Sequence, residues 1–131
     1  VQLLVQKRLD KTAKELQPLV KQLLDAQTPN GGWSQTKDMP SDAYATGQTF
    51  YALTEAGLSP QAPPLQKAAA FLIKTQRADG SWPMTSRPRK PDDTGAKNTD
   101  PITYAATAWA TIALARSAPI LSAIKAETKE K

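Results

Sequence analysis

The 131-residue chain contains neither histidine nor cysteine. Imidazole bases, thiol nucleophiles, Cys/His zinc sites and disulfide scaffolds are therefore excluded, which leaves carboxylates as the side chains able to move a proton near neutral pH. Of the dispersed aspartates Asp38, Asp42 and Asp100, Asp42 has the position of a helix cap, directly ahead of an apolar run. Arg87, Arg89 and Lys90 would suit an anionic ligand, although a charged loop is usually only solvated. The net charge of +5 permits weak attraction to anionic surfaces. No basic run alternates with aromatics, so nucleic acid is not an expected partner.

A second spacing concerns architecture. Gln27-Thr-Pro-Asn-Gly-Gly-Trp33 recurs as Gln76-Arg-Ala-Asp-Gly-Ser-Trp82, a shift of 49 positions (76 − 27). Gln, a glycine turn and Trp at this spacing predict a clamp built on Gln27, Gly32, Trp33 and on Gln76, Gly80, Trp82. Its Gln amide would bond unpaired N–H groups at a helix end while the indole packs across the amide plane. The similarity extends upstream without a gap, pairing Leu16 with Leu65, Leu23 with Leu72 and Leu24 with Ile73. Downstream, Thr46, Ala52 and Leu53 match Thr107, Ala113 and Leu114 at a shift of 61 (107 − 46), so 12 extra residues (61 − 49) lie between Trp82 and Tyr104. In repeat arrays such insertions map to loops on one face, often the binding face.

The elements that must carry these motifs are helical. Leu4, Leu9, Ala13, Leu16, Leu19, Val20, Leu23 and Leu24 recur at helical spacing. Pro18 divides or kinks that stretch, with the first turn of a second helix as its natural place. Ser41 and Asp42 precede a helix over 43–56 that Gly57 stops, and a third helix runs from about Leu65 to Thr75. The segment between Pro83 and Pro101 lacks periodicity and reads as loop. A fourth helix, Ile102 to Arg116, is apolar nearly all round, which predicts an inner helix enclosed on several sides. The end from Lys125 onward is charged and is expected to fray.

The Gln…Gly-x-Trp pattern, twice over and followed each time by a helix, resembles the QW repeats of the squalene-hopene cyclase and protein prenyltransferase superfamily over residues 16 to 116. That resemblance implies an α/α toroid, in which paired helices form a double ring around a central cavity. It also implies an acid: squalene-hopene cyclases protonate an alkene with an Asp-x-Asp-Asp-Thr motif. Here Asp92 and Asp93 match the adjacent pair, while Lys90 replaces the first aspartate. An ammonium nearby favours ionised carboxylates, the wrong direction for a proton donor. The zinc of protein prenyltransferases, held by Asp, Cys and His, has no ligand set here. Tyr44, Tyr51, Tyr104 and Trp109 fall on the inner helices, where the family's aromatics stabilise carbocations by cation–π contact; core packing is the competing role.

The expected fold is therefore all-α, with tandem helical hairpins forming an arc of an α/α toroid. A cyclase-like repeat domain would span 1–118, with repeats at about 1–57 and 58–118, and a charged tail would span 119–131. Two hairpins cannot close a ring, which points to a terminal arc of a larger toroid or a compact two-repeat relic. The leading expectation is a non-catalytic scaffolding or ligand-binding repeat, with no cofactor and no metal. Its partners would be the remainder of a larger toroid or multidomain protein and an apolar or isoprenoid-like ligand. The alternatives are a partial terpenoid cyclase, an isomerase or lyase whose acid lies outside this chain, and a carbohydrate-active toroid with Trp33 and Trp82 flanking a sugar groove. No apolar run is long enough to span a membrane; the expectation is a soluble chain, cytoplasmic or peripheral to a membrane, with the compartment itself left open.

Overall fold

A computed structural model of the chain describes residues 2–87 and 99–118. Within them five helices follow one another with a single short antiparallel strand pair. The first helix, α1 (Gln2–Arg8), ends in a turn where Asp10 takes a left-handed φ of 55°. Next, α2 (Ala13–Asp25) begins at a capping box. The Glu15 amide donates to Thr12 Oγ1 at 3.3 Å, and Glu15 Oε2 accepts from the Thr12 amide at 2.8 Å. This box, absent from the sequence reading above, sets the break between α1 and α2.

Pro18 consequently lies inside α2 and not in its first turn, correcting the expectation placed on it. The ring deprives the Lys14 carbonyl of its helical donor, and the exposed position of Pro18 leaves water to replace it.

After α2 the chain makes the first Gln…Trp turn and enters β1 (Trp33–Ser34), which pairs with β2 (Ser41–Asp42) so that Trp33 faces Asp42. Asp42 then caps α3 (Ala43–Glu55): the Ala45 amide donates to its Oδ1 at 2.8 Å. Gly57, with φ of 100°, turns the chain toward α4 (Pro63–Thr75), which opens on two prolines whose missing N–H groups would have had no helical partner. The second Gln…Trp turn follows α4. Finally α5 (Asp100–Ser117) starts two residues earlier than the Ile102 its apolar pattern suggests, with Pro101 at its first positions.

The core gathers Leu16 of α2, Phe50 and Leu53 of α3, Leu65, Ala68 and Leu72 of α4, and Ala106, Ala110 and Ala113 of α5 around Trp33 and Trp82. Burial of these side chains at matched positions supplies the main drive for the helices to associate. The closest approach is between α3 and α5: a Cβ built at Gly47 would stand 2.5 Å from the backbone carbon and oxygen of Trp109. Only a residue without a side chain lets these helices meet there.

The expectation that α5 is enclosed on several sides does not hold for this chain. One stripe, Ala106, Ala110 and Ala113, is buried, while Tyr104 is 81% exposed and Ile112 39%. Its packing partners among the described residues, chiefly α3 and α4, leave the opposite face to solvent.

Candidate functional site

The two Gln…Trp turns share a set of hydrogen bonds that follows from their shared sequence. In each, the peptide reverses through a glycine with positive φ, 91° at Gly31 and 84° at Gly80. The Gly31 amide donates to the Thr28 carbonyl and the Gly80 amide to the Arg77 carbonyl, both at 2.9 Å. Asn30 Oδ1 accepts from the Gly32 amide and Asp79 Oδ1 from the Ser81 amide, both at 3.0 Å.

The indoles are buried, 2% exposed at Trp33 and 3% at Trp82. Trp33 Nε1 donates to the Leu23 carbonyl at 2.7 Å, and Trp82 Nε1 to the Leu72 carbonyl at 2.8 Å. Both acceptors lie in the last turn of a helix, where carbonyls lack an intrahelical donor. The tryptophan amides donate to hydroxyls of the next helix, Trp33 to Thr46 Oγ1 at 2.9 Å and Trp82 to Thr107 Oγ1 at 3.1 Å.

The roles within the clamp thus differ from the expected ones. It is the indole, acting as donor, that satisfies the helix end, and the atom satisfied is a carbonyl. The Gln amides donate to the turn: Gln27 Nε2 to the Gly31 carbonyl at 2.8 Å and Gln76 Nε2 to the Gly80 carbonyl at 2.9 Å. Gly32 is buried against Ser41, Phe71 and Thr46. With both indoles enclosed in this way, neither can flank a sugar groove, and that arrangement is set aside.

The candidate cavity-lining aromatics do not converge. Tyr51 and Trp109 meet edge-to-face, with ring centroids 5.6 Å apart, and the Arg116 guanidinium carbon lies 4.2 Å above the Tyr51 ring. Arg116 is held from both ends, to Glu55 Oε1 at 2.8 Å and Thr54 Oγ1 at 3.0 Å. Tyr44 lies elsewhere on α3, half-buried beside two open cavities, and Tyr104 projects into solvent. Asp92 and Asp93, with Arg89 and Lys90, lie outside the described residues. Asp38 is exposed, and Asp100 stands in the first turn of α5.

A polar network not anticipated from the sequence joins the first repeat to the loop after Trp82. Asp42, 5% exposed, uses its second oxygen to accept from Gln35 Nε2 and, at 3.3 Å, from the Thr85 amide. Gln35 also donates to the Thr85 carbonyl at 2.7 Å and accepts from Arg87 Nε at 2.7 Å. No local spacing links positions 35, 42, 85 and 87. The lone signal was the cap-type Asp42, whose remaining oxygen needed a partner once buried.

The family model for the squalene-hopene cyclase C-terminal domain matches residues 1–127. A curated relative, a squalene–hopene cyclase from Bradyrhizobium diazoefficiens strain USDA 110, is 34% identical over 104 residues. That alignment covers 79% of this chain but 16% of the relative, so the match spans about a sixth of that protein's length. No solved structure matches the chain. Among the described residues, no helix is long and apolar enough to cross a membrane.

Proposed function

Since the chain belongs to the squalene-hopene cyclase C-terminal domain family, we propose that it is a non-catalytic repeat module of a larger cyclase-like protein, serving as scaffold and ligand-binding wall. In this reading residues 1–118 form the repeat domain, as two units divided near Gly57, and 119–131 form a charged tail. The remainder of the toroid is its main partner.

The observation that carries this reading is the Arg116 stack. A carbocation-stabilising aromatic must offer its ring face to the substrate's positive charge. The face of Tyr51 is covered by a guanidinium 4.2 Å from its centroid, which Glu55 and Thr54 hold in place. A cation already seated there repels a second one in a half-buried setting. Tyr51, Trp109 and Arg116 accordingly act as a bracket between α3 and α5. The indole bonds of Trp33 and Trp82 support the same view, because both rings are committed to helix ends.

A direct assay tests this. The chain is incubated with squalene in detergent and the extract analysed by gas chromatography with mass spectrometry; squalene is expected back unchanged. A cyclised triterpene, lost in the Asp92→Asn/Asp93→Asn double variant, would overturn the reading and assign the acid to that pair.

A further inference from the structure

A cavity of about 230 Å³ opens beside α3, lined by Ser34, Gln35, Tyr44, Gln48, Thr49 and Arg87 among others. An adjoining one of about 300 Å³ shares Gln35, Tyr44 and Arg87 and adds the apolar side chains of Met84 and Ile102. The second reaches the lower end of the roughly 300–1,000 Å³ usual for small-ligand sites, and the first falls below it. Among the described residues, neither is lined by an acidic side chain. The side chains of Ser34, Tyr44, Gln48 and Thr49 hydrogen-bond to no other described residue. Four uncharged donor–acceptor groups thus line one small space with a cation.

The cation is placed deliberately. Arg87 extends from the loop after Trp82, and its Nε is fixed by Gln35, which is itself fixed by buried Asp42 and the Thr85 backbone. This chain of bonds removes much of the side-chain freedom that binding would otherwise have to restrict. With Nε engaged, an anion would approach the two terminal nitrogens, whose planar fork matches a carboxylate. Hydroxyl and amide groups that can both donate and accept are suited to a ligand bearing hydroxyls.

We propose that this cavity binds a small hydroxylated carboxylate of the sugar-acid class, its carboxylate on Arg87 and its hydroxyls among Ser34, Tyr44, Gln48 and Thr49. The proposal rests on the ligand-binding side of the repeat-module reading and gives it a ligand class. It is independent of the buried indoles.

The probe is D-glucuronate, titrated into the full ¹⁵N-labelled chain and followed by amide shifts. Saturable shifts are expected at Ser34, Gln48 and Thr49. Methyl glucoside, which lacks the charge, should bind about tenfold more weakly or worse, the effect of one charge-assisted hydrogen bond. Arg87→Ala should weaken glucuronate by a similar factor with the melting temperature unchanged, and Gln48→Leu should weaken both sugars. No saturable shift at these residues, equal affinity for the charged and neutral sugars, or displacement of glucuronate by equimolar inorganic phosphate would each overturn the assignment. Any of these failures leaves the squalene result standing, so the two proposals fail separately.

Discussion

Gln27 and Gln76 hold the same place in two turns of one conformation, yet among the described residues Gln27 Nε2 has two carbonyl acceptors and Gln76 Nε2 has one. The additional acceptor is the Pro64 carbonyl, 2.8 Å from Gln27 and contributed by the first turn of α4. Around it, a Cβ on Gly31 would come within 2.6 Å of the Lys67 carbonyl oxygen, whereas a Cβ on Gly80 would meet nothing closer than its own Gln76 at 3.8 Å. Gln76 and Ile73 are exposed beside the second turn, Ile73 to 65%. The contrast separates two layers of the motif. Turn geometry and indole bonds recur in both copies and so belong to the repeat unit itself, while the cover over the turn belongs to its neighbour.

The largest expected effect tests the shared layer. Trp33→Ala and Trp82→Ala should each destabilise by about 3–5 kcal/mol, measured by urea unfolding, because both indoles are buried and bonded alike. A much smaller loss for Trp82 would break the equivalence of the units. The next test separates the layers. Gly80→Ala should cost about 1–2 kcal/mol for the left-handed backbone alone. Gly31→Ala should cost about 1–3 kcal/mol more, since its Cβ also meets the α4 backbone. Equal losses would mean that α4 does not pack over the first turn in solution.

The smallest effect is one of pH. Hydrogen bonds from the Ser81 side chain and amide hold the Asp79 carboxyl below the usual aspartate range. A depressed folded-state value stabilises at pH above the unfolded value, about 3.9, and that contribution disappears as the pH falls through the lower folded value. Asn30 occupies the equivalent place in the first turn and does not titrate. Amide shifts of Gly80 and Ser81 should therefore move in acid while those of Gly31 and Gly32 stay put. Asp79→Asn should abolish the difference.

What could be seen in the sequence follows the same division. The shifts of 49 and 61 paired Leu23 with Leu72 and Thr46 with Thr107, and these are the partners that receive the two tryptophans' bonds. Such identities are legible because the same contacts had to be encoded twice. The α1–α2 break depended on a four-residue capping box that an uninterrupted apolar periodicity masks. Exposure of Tyr104 was illegible for a different reason: a pattern apolar on all sides gives composition, and which neighbours are present is a matter of tertiary structure. The Asp42–Gln35–Arg87 chain joins residues far apart in sequence and without period, so only the folded chain could bring them together.

The last turns of helices are usually the first to fray, but α4 is committed at both ends. Near its start Pro64 and Lys67 roof the first turn, and near its end the Leu72 carbonyl receives Trp82. Local opening of α4 therefore undoes both units together, whereas the turn carrying Gln76 can open with the first clamp left intact. Hydrogen exchange should register this as a hierarchy. The α4 amides would exchange only when the whole domain unfolds, and those of the second turn through smaller excursions, which would tie the cooperativity of the two units to α4.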